Sequence, residues 1–212
     1  METVLTPFVW YYYYQTNPHE SHRYKSWEYC YRYFMVNNAE DRDLAGLHLG
    51  FYLASWGMFR GASGLLQKDY KIYVPLIDIL KQYSPLSKEA IGTSKYLRGV
   101  FGLKQDLYNY FKSNDIISDP SDTLISKIIL GTLGITPAWD RFFRKGLKEY
   151  GFSNIGMTSK TFIELGNFIE EHKEEIQILQ SRIRAYGELD FDYPTMKIID
   201  MFFWQFGQPD DD

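Results

Sequence analysis

The 212-residue chain contains a single cysteine, Cys30. That excludes an internal disulfide and any multi-cysteine metal site, and it favours a reducing compartment. No strong excess of one charge is present either: 23 Lys and Arg stand against 27 Asp and Glu, a net charge of −4. Such a balance speaks against general polyanion binding and leaves room for a local basic patch only. Residues 1–7 have neither a basic stretch nor an apolar run long enough for a signal peptide, so a cytoplasmic location is expected. The phosphate-binding loop, the nucleophile elbow, the HExxH helix and the dinucleotide fingerprint are all missing. No cofactor and no metal is expected. His19 and His22, three residues apart around Glu20, fall far short of a metal site by themselves. Long apolar runs are scarce too. Only 44–66 has the length of a membrane span, and His48, Ser55, Arg60 and Ser63 interrupt it. A central arginine is expensive in lipid, so this stretch reads as a buried helix and no membrane partner is expected.

What the chain has in quantity is aromatic residues, 18% of the total with 18 Tyr and 15 Phe. These supply large buried area, and each tyrosine adds a polar tip. Six of them run together with one valine as Phe8–Tyr14, FVWYYYY, a segment with strand propensity but no alternation. It is either an arm packed on the rest of the protein or an intermolecular contact.

Helix signals dominate the remainder. Asn17, Pro18 and Glu20 form a start signal for a first helix to about Asn37. Further helices are expected at about 43–67, 74–83, 95–112, 121–133, 137–151, 159–186 and 194–206. The fold class is all-α: one multi-helix bundle of about eight helices, with a hinge best placed at 113–121 and an acidic tail at 207–212. Gly50, Ala54, Gly57, Gly61 and Gly64 are spaced four, three, four and three residues apart. On a helix they fall within a stripe of roughly 80°, which predicts a close helix contact and a central position for that helix.

Opposite the stripe, His48, Tyr52 and Ser55 sit at i, i+4 and i+7, with Phe59 following and Arg60 to one side. A histidine beside two hydroxyls is either a general base or ligand contact, or a satisfied polar group in a tight core. Asp140 and Asp200 are the carboxylates that could complete such a site from elsewhere in the chain. A second pattern is Ser126–Leu147, SKIILGTLGITPAWDRFFRKGL. Its turn, with Gly134 and Thr136, leads into a helix whose amides could hold an anion, with Arg141, Arg144 and Lys145 adding positive charge. Through Leu133, Gly134, Ile135, Pro137 and Ala138 this segment resembles the helix-hairpin-helix of DNA-glycosylase-like proteins. Thr136 stands where that pattern has its second glycine. The resemblance implies a DNA phosphate held at the turn and a downstream aspartate, for which Asp200 is the candidate. The phrases HLGFYLASWGMFRG and PAWDRFF also resemble a family of bacterial helical proteins, which implies class and compartment but no mechanism.

Three functions follow. The leading one is binding, through an aromatic-rich surface, to a protein partner or to a second copy of the chain. The alternative is nucleic-acid association through a phosphate clamp at 131–148, and the third is an enzyme with a buried polar site around His48.

Overall fold

The computed structural model describes residues 3–16, 21–60 and 64–209. Among them lie ten α-helices and no strand: α1 (Thr6–Thr16), α2 (Lys25–Met35), α3 (Arg42–Ser55), α4 (Leu76–Tyr83), α5 (Ser94–Ser113), α6 (Asp122–Thr132), α7 (Arg141–Tyr150), α8 (Ser159–Glu171), α9 (Lys173–Tyr186) and α10 (Thr195–Phe206). Short 3₁₀ turns at Tyr70–Tyr73 and Ser84–Lys88 flank α4. The all-α expectation holds. No helix among the described residues is long and apolar enough to cross a membrane. The start signal at Asn17, Pro18 and Glu20, together with His19, Gly61 and the acids Asp210 to Asp212, lies outside the described residues.

Four local expectations are corrected. The FVWYYYY segment is part of helix α1, not a strand. Leu5, Val9, Tyr12 and Tyr13, at helical spacing, are buried against α9 and α10. Its first turn is held from outside the helix: the amides of Val4, Leu5 and Thr6 and the hydroxyl of Thr6 all donate to the carboxylate of Glu175 on α9. This tertiary cap satisfies amides that a free helix start leaves open. Secondly, the glycine-rich helix ends at Ser55, well short of Gln67. Trp56 closes it, and Gly57 at φ +73° takes the left-handed conformation that terminates helices. Of the four stripe residues that are described, Gly50 and Ala54 are helical while Gly57 and Gly64 are not, and Ala54 is exposed. Gly50 does provide a close approach, but to the 3₁₀ turn: a Cβ there would stand 2.9 Å from Cβ of Tyr70. Thirdly, the expected 159–186 helix is two helices that meet at His172. Fourthly, 137–140 is not helical. Asp140 rather than Pro137 begins α7, its Oδ1 accepting from the amides of Phe142 and Phe143 at 3.0 and 3.1 Å.

The centre belongs to α6 and α10. Residues 124–132 of α6 and 196–203 of α10 are buried without interruption, as expected for helices apolar on all sides. Here the closest backbone contact is α7 on α10, where a Cβ at Gly146 would overlap the carbonyl oxygen of Phe203. These two helices and the end of α3 set the geometry of the site below.

Candidate functional site

Three of the residues singled out from sequence converge in the interior. Tyr52 comes from α3, Asp140 from the start of α7 and Asp200 from the middle of α10. With Lys127, Trp56 and Trp204 they line one small cavity. The volume open to the centre of a water molecule is about 10 Å³, space for roughly one water.

The cluster is built from two lysine–aspartate pairs. Lys197 Nζ donates to Asp200 Oδ2 at 3.0 Å and to the Tyr12 hydroxyl at 3.2 Å, while Asp200 Oδ1 accepts from the Ala138 amide at 2.9 Å. Both charged groups are almost wholly buried. Spacing of i, i+3 on α10 brings them together, and the rings of Tyr12 and Trp27 face the ammonium at 4.9 and 5.1 Å. The second pair is looser. Lys127 Nζ donates to the carbonyl of Trp56 at 3.2 Å, but stands 3.9 Å from Asp140 Oδ2, beyond hydrogen-bond range. Burial pushes the Lys127 amine down, reinforced by the nearby cations Lys197 and Arg23 and opposed by Asp140 and Asp200. Burial likewise raises the Asp140 carboxyl, although Lys127 and the two α7 amides work against that rise. The Tyr52 side chain, 2% exposed, makes no hydrogen bond, and burial raises its phenol well above the usual range. The cavity thus holds unspent donors on Lys127 and Tyr52 and an unspent acceptor on Asp140.

Lys127 and Lys197 were not singled out from sequence. The available signal was a lone lysine in the apolar helix SKIILGTLG and a Lys-x-x-Asp pair inside PTMKIIDMFFW. A charge in a helix that is apolar on all sides must be buried and therefore paired.

The other sequence candidates lie elsewhere. His48 stacks on Tyr33 at the surface, ring centroids 4.6 Å apart and planes 17° apart, and burial lowers its pKa. Ser55 donates to the Phe51 carbonyl at 2.8 Å. Arg60 is exposed and folds over Gly57. None of the three reaches the cavity. In the hairpin, residues 131–139 are all buried, including Gly134 and Thr136. Gly134 sits at φ +64°, and a Cβ there would strike Pro194 and Tyr31. Its amide donates to Ile129, that of Ala138 to Asp200, and the first amides of α7 to Asp140. The Ile129 carbonyl and the carboxylates of Asp140 and Asp200 therefore occupy these amides of the hairpin. Arg141, Arg144 and Lys145 face solvent on α7, Lys145 pairing with Glu149 at 3.4 Å.

A larger groove, about 460 Å³, lies on the other side of the hairpin, between Gly134, α8 and the start of α10. Its acidic residues are already matched: Glu89 with Lys95, Glu170 with Lys173 and Asp192 with Arg184.

The exposed face of α3 is apolar and carries no ionic side chain. From Leu44 to Ser55 there is no acidic residue, lysine or arginine. Leu44, Leu47 and Phe51 nevertheless point outward, 40, 47 and 57% exposed. Beside them α2 exposes Tyr29 and ends in the exposed pair Met35 and Val36. The charges at the start of α3 are spent sideways, Arg42 on Asp78 at 2.7 Å and Asp43 on Lys71 and Tyr70. In comparisons with known proteins, no family model, no curated protein and no solved structure matches the chain.

Proposed function

We propose that this protein works by docking through the outer face of α2 and α3, and that the partner is a second copy of the chain. The observation that carries this is the uncharged outer face of α3. A helix exposed to water ordinarily carries charged residues on that side, whereas this one carries Leu44, Leu47, Phe51 and Ala54. Contiguous exposed apolar side chains of this kind mark interaction surfaces. A second copy suits the face because nothing on it repels itself. The flanking ions are paired within the chain, and the lowered pKa of His48 keeps the imidazole neutral at neutral pH. Two such faces bury aromatic and aliphatic groups against each other with no like charges opposed, as a two-fold interface requires.

Sedimentation equilibrium over a range of protein concentrations tests this. The wild type is expected to approach twice the chain mass of 25.0 kDa, and Phe51→Asp to remain at the chain mass with unchanged helicity. A wild type that stays at the chain mass at every concentration overturns the proposal.

A further inference from the structure

Independently of the docking face, we propose that the groove between Gly134, α8 and the start of α10 binds an aliphatic polyamine, with ammonium groups on its carboxylates and methylenes along its apolar wall. Four features lead there. The first is size: about 460 Å³ lies within the range of small-molecule sites, roughly 300–1,000 Å³. The second is charge. Glu89 ahead of α5, Glu170 on α8 and Asp192 ahead of α10 line the groove, and among the described residues no lysine, arginine or histidine does. Their partners Lys95, Lys173 and Arg184 stay outside the lining, each more than half exposed. Ion pairs this open to solvent are weak, so an arriving ammonium shares the carboxylate with them.

The third feature is a buried hydroxyl without a partner. Tyr31 of α2 lines the groove and is only 6% exposed, yet its hydroxyl makes no hydrogen bond. Stacking on Trp27 holds its ring in place, centroids 4.9 Å apart and planes 14° apart. Burial first, and then the charge of Asp192, push the Tyr31 phenol up to about 12, so the hydroxyl stands in the field of that carboxylate. The donors around it are spent: the Tyr96 hydroxyl on the Ile135 carbonyl, the Gln180 nitrogen on the Tyr193 carbonyl at 2.7 Å, and the Gly134 amide on the Ile129 carbonyl. What remains open is acceptors: Gln180 Oε1, the Tyr31 oxygen and the carboxylates. An alkylammonium brings three donors and no acceptor. The fourth feature is spacing. Among the described residues, no three acidic, histidine or cysteine side chains come together closely enough to hold one metal ion. The three carboxylates of the groove come from three separate segments, and Ile91, Ile135, Ile169 and Met196 line it with them. A ligand that matches has several positive centres joined by hydrocarbon.

Isothermal titration calorimetry of the full-length protein with spermidine tests this. Saturable one-to-one binding is expected, weakening as salt is raised, and none with octanediol, a neutral chain of similar length. Asp192→Asn and Glu170→Gln should each weaken binding roughly tenfold, the loss of one charge-assisted contact. Tyr31→Phe removes a hydroxyl that has no partner within the chain, so helicity and thermal melting should stay unchanged while affinity falls about threefold or more. Phe51→Asp should bind spermidine as the wild type does, which separates this result from the oligomeric state. The absence of saturable heat at millimolar spermidine overturns the proposal, as does unchanged affinity in Asp192→Asn or equal binding of octanediol. Multiple weak sites insensitive to Tyr31→Phe would show condensation on the acidic surface alone, and overturn it too.

Discussion

Asp200 joins two parts of the molecule that are far apart in sequence, binding Lys197 on its own helix and the Ala138 amide of the hairpin. Replacing it by alanine leaves a buried ammonium and a buried amide without their partner. Breaking a buried pair from one side costs about 3–5 kcal/mol, whereas replacing both ions by apolar groups of similar volume is often neutral. Urea unfolding should therefore show a loss of about 3–5 kcal/mol in Asp200→Ala and recovery of most of it in Lys197→Met/Asp200→Leu. If the double variant is no more stable than the single one, unpaired charge is not the cause of the loss. Tyr52 was legible as the i+4 neighbour of His48, Asp200 as the downstream aspartate that the hairpin resemblance implies, and Asp140 as a carboxylate that could complete a site from elsewhere in the chain. Their lysine partners were not, because lysine is ordinarily a surface residue and no local pattern tells which carboxylate it meets.

Helix α1 depends on a cap supplied by α9, and this dependence has a pH signature. Burial works against the Glu175 carboxylate, yet the bonds from Thr6, Leu5 and Val4 hold its pKa below the usual glutamate range. A depressed carboxyl pKa contributes stability that is present above the unfolded pKa, about 4.3, and lost as pH falls through the lower folded value. In pH-dependent unfolding, Glu175→Gln should be about 1–2 kcal/mol less stable than wild type near neutrality, with the gap closing in acid. A gap that stays constant with pH would remove the carboxylate from the account. The contact between α7 and α10 makes a second claim at this scale. Gly146→Ala should cost about 3 kcal/mol or more, since the methyl group meets backbone rather than a movable side chain. Gly151→Ala, where φ is +99° and the space is open, should cost only about 1–2 kcal/mol. Similar losses at the two sites, read from thermal unfolding, would contradict the packing described. Helices α4, α5, α6 and α10 were legible from their periodicity and caps to within two residues. The end of α3 was not. Its small-residue spacing continues past Ser55, and the left-handed turn at Gly57 leaves no mark in a pattern of small residues.

For the whole molecule, the core lies around α6 and α10, and α3 is a boundary with one face packed and the other uncharged and open. The all-α class followed from the lack of alternation anywhere in the chain. Which helix is central did not, because a glycine stripe and an all-apolar helix make competing claims that only tertiary packing decides. The central claim is that two copies meet across α3, and a distance between copies tests it most directly. Cys30 is fully buried, so Ala54→Cys on the exposed face offers the single accessible thiol for a spin label. Helices in contact lie about 8–10 Å apart. Pulsed dipolar spectroscopy on the singly labelled protein should therefore show a short, well-defined distance, of the order of 20–30 Å with the label arms included. It should disappear in Phe51→Asp. A label at Lys145→Cys on α7 should give a longer distance. No dipolar coupling at position 54 at high protein concentration, or a shorter distance from α7 than from α3, would contradict docking through this face.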